Sequence, residues 1–143
     1  DEPGLPRLAA ILERFPNLVI IGHSQAFWSE IDKDLDPAAR GGYPAGPVTP
    51  GRLVELMRRY PNLHADLSGK SGRNALERDP AHAEAFLAEF ADRLYFATDM
   101  FPVGGPDPLL PELLARFRDE GIVGDATLAK ILRGNAERIL RLP

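Results

Sequence analysis

The sequence contains no cysteine. Disulfides, thiolate metal sites and cysteine nucleophiles are therefore all excluded. Histidine is also scarce, since the 143 residues include only His23, His64 and His82. A metal ion bound by this chain must therefore be held by histidine nitrogen, by aspartate or glutamate oxygen, or by backbone oxygen.

Positive charge and long apolar runs are lacking as well. The 17 Lys and Arg residues are outnumbered by 21 Asp and Glu residues, so the net charge is −4. Nucleic-acid binding draws most of its affinity from cations on phosphates, which makes a nucleic-acid partner a poor fit. No stretch approaches the roughly 20 apolar residues of a membrane helix, and no signal segment opens the chain. We therefore predict a cytoplasmic protein that acts on a small molecule and binds neither nucleic acid nor membrane.

The composition is that of a folded domain. Hydrophobic residues make up 44% of the chain and charged residues 27%, which is the usual balance for a soluble globular protein. The sequence contains neither a linker nor a low-complexity tract. We predict a single domain over residues 1–143.

An internal repeat organises the first half of the chain. The segment Arg14-Phe15-Pro16-Asn17-Leu18 recurs as Arg59-Tyr60-Pro61-Asn62-Leu63. Each copy follows a segment with apolar residues at helical spacing and precedes a β-like run. Thr49 and Pro50 are predicted to cap the second of these helices, and Asp79 and Pro80 to open a third. Strands are predicted at 18–22, 63–67 and 94–97, and their alternation with helices indicates an α/β fold with parallel strands.

Polar residues follow each predicted strand, where α/β proteins place their sites. His23 ends the first run, Asp66 and Ser68 the second, and Asp99 the third. Because side chains alternate along a strand, His23 and Asp99 are expected to converge if their faces point inward. A His and an Asp brought together at strand ends can hold a divalent cation or activate water. The alternative is that His23 bonds within its loop and Asp99 caps a turn.

Other polar and aromatic residues have structural alternatives. Asp66 and Ser68 either contact substrate or stabilise their loop. Trp28 either lines the mouth of a pocket or anchors the long segment 24–50, which is the commoner role of an aromatic residue under a loop. His64 lies early in its strand and is expected to be a core histidine, and His82 is expected to be solvated at a helix start.

Four segments together resemble the closing portion of the amidohydrolase-related family. They are residues 15–23, 60–69, 92–99 and 134–142, and their order and spacing also match. The family includes metal-dependent hydrolases and decarboxylases of the aminocarboxymuconate-semialdehyde type, on a (β/α)8 barrel. A full barrel takes about 250 residues, so the resemblance implies a partial TIM-like barrel: the last three βα units and the C-terminal helices.

The resemblance also implies roles for residues. His23 would end the sixth strand and bind a metal or orient water and substrate. Asp99 would end the eighth strand, bind the metal, which is expected to be zinc, and act as the base. Independently of the resemblance, Asp66 and Ser68 at their strand end and Trp28 in the long segment are the candidates for substrate contact. The family's His-x-His pair on the first strand has no counterpart here, so two expected zinc ligands are absent from this sequence.

The implied activity is hydrolysis of a small organic acid, amide or lactone by a metal-activated water. Non-oxidative decarboxylation within the same family is one alternative. A catalytically inert barrel fragment is another, because three parallel strands cannot close a barrel and their open edges favour pairing, including as a homo-oligomer. The alternative with least support is a serine hydrolase, in which residues 19–26 resemble a nucleophile elbow and Ser24 is the nucleophile. The usual order of a triad cannot be assembled, since no histidine follows Asp99.

Overall fold

The computed structural model describes residues 1–100 and 109–142. Within these ranges, three short strands form one parallel sheet in the order β1-β2-β3. The strands are β1 (Ile20–Gly22), β2 (Leu63–Asp66) and β3 (Leu94–Tyr95). Ile20 is paired with Leu63, and Ala65 with Leu94. The chain is therefore a mixed α/β protein whose strands all run in the same direction, as the alternation of elements predicted.

Helices connect and cover the strands. They are α1 (Pro6–Arg14), α2 (Gln25–Trp28), α3 (Arg52–Arg59), α4 (Gly69–Glu77), α5 (Pro80–Glu89), α6 (Leu110–Asp119), α7 (Asp125–Ala129) and α8 (Asn135–Leu140), with a π-helical turn at Lys130–Gly134 between the last two. Short 3₁₀ turns lie at Ser29–Ile31, Pro37–Ala39 and Ala91–Arg93. None of the helices in the described residues is long and apolar enough to cross a membrane.

The two faces of the sheet differ in burial. Leu63 and Ala65 on β2 are fully buried against the helices, whereas His64 and Asp66 on the opposite face are partly exposed. The apolar core lies on the helix side and includes the large buried side chains Phe86, Phe90, Phe117, Leu53 and Met57. The face of the sheet that carries His64 and Asp66 is thus partly accessible to solvent.

The strands are shorter than the sequence predicts, for a physical reason. β1 is an edge strand, and Leu18 and Val19 before it are exposed without a neighbouring strand on that side in the described residues. β3 ends at Tyr95 because the neighbouring chain turns into α4 after Leu67, whose backbone N–H donates to the Tyr95 carbonyl, and the next backbone N–H, that of Phe96, donates to the carbonyl of Ile131 instead. The predicted loop at 102–108 lies outside the described residues.

Two helix starts were predicted and one was wrong. Asp79 does cap α5, since its carboxylate accepts from the backbone N–H of His82 at 3.1 Å and Pro80 is the first helical residue. Thr49 does not cap α3, which begins after Gly51. The carbonyl of Thr49 instead accepts from the backbone N–H of Lys33, its N–H donates to the Asp32 carboxylate, and Pro50 forms an antiparallel bridge with Asp32. Helix α4 was not predicted at all, because glycine opens it.

A recurring contact joins each helix-strand turn to the unit that follows. The side-chain amide of Asn62 donates to the carbonyls of Leu12, Phe15 and Leu18, at 3.1 to 3.3 Å. Arg93 donates in the same way to three carbonyls of the turn before β2, those of Met57, Tyr60 and Leu63. Asn135 donates to Ala91 and Leu94 in the turn before β3. Each donor thus ties the end of a helix and the start of a strand to the unit that follows.

Candidate active site

The site begins at the end of β1. Gly22 is the last residue of the strand, and a Cβ atom there would lie 2.1 Å from the ring of Phe27 on α2. Glycine therefore allows α2 to fold back directly over the strand end. His23 follows, with its side chain 39% exposed, and projects from the strand end to the open side of the sheet.

Two carboxylates flank the imidazole of His23. Nδ1 of His23 lies 3.3 Å from Oδ2 of Asp66, at the end of β2. Nε2 lies 3.7 Å from Oδ2 of Asp99, four residues beyond β3. The three strand ends therefore bring together the His and both Asp side chains that the sequence had placed there.

Asp66 is the more firmly held of the two carboxylates. Its Oδ1 accepts from the backbone N–H of Ser68 at 2.7 Å, and its Oδ2 accepts from the Ser68 hydroxyl at 2.8 Å. This is the local Asp-x-Ser turn that a short acidic side chain makes with the backbone two residues on. Asp99 is 49% exposed and lies beside the start of α4. The site thus has one fixed carboxylate and one accessible carboxylate.

Two residues at this site have a backbone conformation that is unusual for a residue with a side chain. Four residues other than glycine have positive φ in the described part of the chain. Two of them, Leu5 and Arg141, flank helix ends, and the other two are Ser24, at φ 90°, and Asp99, at φ 55°. Such conformations cost of order 1–3 kcal/mol and cluster at functional sites. Their position next to His23 and at Asp99 supports a functional role for this end of the sheet.

Trp28 and Ser68 are buried beside the site. Trp28 is 3% exposed, packs edge-on against Phe27 and Phe86, and donates from Nε1 to the main-chain carbonyl of Asp66 at 3.1 Å. Ser68 is 1% exposed. These contacts favour the anchoring and loop-stabilising alternatives, and direct substrate contact by Asp66, Ser68 or Trp28 stays a prediction.

The other two histidines have different surroundings. Nδ1 of His64 lies 2.6 Å from the hydroxyl of Tyr95, whose ring stacks on the imidazole. Burial, with a smaller contribution from Arg93, lowers the pKa of His64. His82 is half-buried against Phe86, not solvated as the sequence suggested, and burial lowers its pKa as well. In the described residues, neither the His64 ring nor the His82 ring lies within salt-bridge distance of Asp66 or Asp99, the two carboxylates that flank His23.

Two chemical possibilities can be tested against these positions. Within residues 1–100 and 109–142, no group of three or more His, Asp or Glu side chains is arranged to hold a metal ion. His23 and Asp99 therefore offer a pair of ligands.

The alternative in which Ser24 is a nucleophile can be tested as well. Ser24 is exposed at the start of α2, and its hydroxyl has no histidine partner in the described part of the chain. The structure thus brings no base to Ser24.

Comparison with known proteins identifies the family. A family model described as Amidohydrolase matches residues 1–142, nearly the whole chain. No curated protein and no solved structure gives a match. The family match agrees with the resemblance carried by the four sequence segments. The chain belongs to the amidohydrolase family, a family of hydrolase-type enzymes.

Proposed function

We propose that His23 and Asp99 are the catalytic pair of a metal-dependent hydrolase that acts on a small organic acid, amide or lactone. The observation that carries the proposal is their proximity: Nε2 of His23 lies 3.7 Å from Oδ2 of Asp99, with both side chains accessible to solvent. The two residues are 76 positions apart in the sequence and follow β1 and β3, which are separated in the sheet by β2. Only the parallel fold brings them together.

The pair fits part of a metal site. A separation of 3.7 Å is too long for a direct hydrogen bond. It is shorter than two zinc-ligand bonds of about 2.0 to 2.2 Å each, so one cation can contact both atoms. Imidazole and carboxylate are also a donor set that suits Zn²⁺. Any further ligands must be water or must come from outside the described residues.

The roles of the two side chains follow from their chemistry. A divalent cation held there would polarise a carbonyl and make water more acidic. Asp99 would accept a proton from the attacking water and deliver it to the leaving nitrogen or oxygen when the C–N or C–O bond breaks. His23 would orient and polarise the reacting group through Nε2. Water adds to the carbonyl carbon, so the products are an acid and an amine or alcohol.

The fold proposed for the site is the end of a (β/α)8 barrel, with β1 to β3 as its last three strands and residues 1–143 as one domain. Two observations support it. Ile21 and Val19 at the open edge are 44% and 39% exposed, which is unusual for a parallel strand. Asn17 occupies in the first repeat the position that Asn62 occupies in the second, but it is exposed. Another helix-strand turn, from this protein or a second copy, would fit there.

Two alternatives use the same residues. Decarboxylation of a small acid would use the same two metal ligands, His23 and Asp99. It would differ from hydrolysis in the substrate consumed and in the release of CO₂. A catalytically inert barrel unit is favoured by the lack of a third metal ligand among the described residues. These alternatives differ in turnover and in products, which one assay can measure.

The test is turnover with and without added Zn²⁺ on a panel of lactones, amides and carboxylic acids. We expect Zn²⁺-dependent hydrolysis that falls about 10²- to 10⁴-fold in Asp99→Asn. Asp119→Asn removes an exposed carboxylate on α6 and is the matched control. Release of CO₂ from the acids would favour the decarboxylase. No turnover on any substrate would favour the inert unit, and an Asp99→Asn variant with full activity would contradict the assignment of Asp99.

A further inference from the structure

The Asp66 carboxylate has the position of an orienting group for His23. Both of its oxygens are fixed by Ser68, and its main-chain carbonyl is fixed by the indole of Trp28. Oδ2, the oxygen that accepts from the Ser68 hydroxyl, is also the oxygen that lies 3.3 Å from Nδ1 of His23. Asp66 therefore presents a fixed acceptor to one nitrogen of the ring.

An ionised carboxylate can only accept hydrogen bonds. The nitrogen that faces it must therefore carry the proton, and in a neutral imidazole the other nitrogen then carries a lone pair. In His23 the other nitrogen is Nε2, which lies 3.7 Å from Oδ2 of Asp99, beyond hydrogen-bond distance, so Asp99 does not require a proton on it. Only an unprotonated Nε2 can bind a cation or accept a proton from the reacting group.

The Ser68 hydroxyl is the other group near this nitrogen in the described residues, and it could donate to Nδ1 or accept from it. Its oxygen lies 3.5 Å from Nδ1 of His23 but 2.8 Å from Oδ2 of Asp66. A hydroxyl has a single proton, and the shorter contact with a charged acceptor takes it. Ser68 therefore leaves the proton of His23 on Nδ1 and helps to hold Asp66 in place.

We propose that Asp66 is a positioning residue that holds neutral His23 with its proton on Nδ1 and its Nε2 lone pair directed to the gap in front of Asp99. The catalytic value of this arrangement rests on the proposed function. The tautomer itself is a property of the chain alone. It can therefore be measured without metal, substrate or turnover.

The experiment is ¹⁵N NMR of the full chain labelled at histidine, recorded over a series of pH values so that the neutral form of each ring is identified from the spectra themselves. The three histidines can be assigned with His64→Gln and His82→Gln variants. We expect the wild-type spectrum to show His23 with Nδ1 protonated and Nε2 unprotonated. A wild-type His23 protonated on Nε2 would overturn the proposal.

Replacement of Asp66 by Asn should reverse the tautomer. The amide oxygen of Asn can still accept from the backbone N–H of Ser68, which leaves the amide NH₂ facing Nδ1 of His23. A donor at that position requires Nδ1 to accept, so the proton is expected to move to Nε2. An Asp66→Asn variant that folds and keeps the proton on Nδ1 would also overturn the proposal.

Two further variants keep the test independent of folding effects at Asp66. Ser68→Ala retains the Asp66 carboxylate and should keep the wild-type tautomer, whereas a reversal there would assign control to Ser68. Asp119→Asn changes a distant exposed carboxylate and should leave the His23 signals unchanged. If the enzyme is active, Asp66→Asn should lower kcat about 10- to 100-fold with little change in KM. If hydrolysis fails altogether, the tautomer result still stands or falls by itself.

Discussion

A Cβ atom at Gly69 would lie 2.8 Å from Oδ2 of Asp99. Gly69 is the first residue of α4 and has a φ of +69°, a conformation that residues with a side chain adopt at a cost. Glycine at this position therefore lets the Asp99 carboxylate lie against the helix start. The geometry of the proposed site depends on a residue that makes no chemical contribution of its own.

Gly69→Ala should displace Asp99 and impair the site by more than it destabilises the fold. The expected loss of stability is about 1–2 kcal/mol from the positive φ. Because the clash is with the end of a movable side chain, the carboxylate shifts, and a displacement of that size can reduce turnover about 10²-fold. Gly121→Ala is the control, since Gly121 has a φ of +76° with nothing near its missing Cβ. Equal loss of Zn²⁺ binding and turnover in both variants would show that the Gly69 contact is unimportant.

Asn62→Ala should destabilise the chain, and Asn17→Ala should not. Asn62 is 6% exposed and satisfies three carbonyls of the turn before β1. Removal of the amide deprives the Leu12 and Leu18 carbonyls of this partner, at a cost of about 1–3 kcal/mol, whereas the Phe15 carbonyl still accepts from the backbone N–H of Leu18. Asn17 has the same place in the repeat but is exposed. Asn17→Ala should therefore change the free energy of unfolding of the chain by no more than about 0.5 kcal/mol. Urea denaturation measures both, and equal values would contradict the anchoring role.

Arg78→Met should be the most destabilising of these substitutions. The guanidinium of Arg78 and the carboxylate of Asp32 are each 5% exposed and lie 2.8 Å apart. Arg78 also donates to the carbonyls of Gly46 and Pro47, which fixes the segment before α3. Loss of one partner leaves a buried charge unpaired and costs about 3–5 kcal/mol. Arg118→Met, at an exposed pair with Asp119, should cost less than about 1 kcal/mol.

Stability should fall as the pH is lowered below about 6.5. Burial lowers the pKa values of His64 and His82 from their usual value of 6.5. The unfolded chain therefore binds protons more readily than the folded chain in that range, so protonation favours unfolding. The loss of stability begins near pH 6.5, the usual pKa of histidine, and is complete once the pH is below the lowered pKa values of the folded chain. His64→Gln and His82→Gln should each reduce the slope of stability against pH, and a stability that rises on acidification through this range would contradict the prediction.

Much of the fold could be predicted from periodicity and turn residues. The repeated Pro-Asn turn indicated where helices stop and strands begin, because proline cannot continue a helix. The positions of β1 and β2 followed from it, and β3 was predicted from the run of residues 94–97 after a helical segment, although Leu18 and Val19 belong to no strand. Strand length depends on a neighbouring strand to pair with, and local sequence does not contain that information.

The site was predicted in part. His23 and Asp99 were identified because polar residues follow strands whose ends meet at one edge of a parallel sheet. The link from Asp66 to His23 could not be predicted, since it depends on strand register and on the rotamer of each side chain. The Asp66-Leu67-Ser68 spacing does carry a local signal, because Asp side chains bond the backbone two residues on. Helix α4 was missed because Gly69 and Gly72 favour a loop by propensity, while the close approach of Gly72 to the Leu67 carbonyl requires glycine.

Zinc titration of the metal-free chain tests the central claim most directly. Isothermal calorimetry of the wild type, His23→Gln, Asp99→Asn and the control Asp119→Asn measures stoichiometry and affinity without any choice of substrate. If His23 and Asp99 share one cation, the wild type and Asp119→Asn should bind one Zn²⁺ per chain, and each site variant should bind at least about tenfold more weakly. Wild-type affinity in both site variants, or no binding by the wild type, would contradict the assignment of a metal-dependent site to this pair.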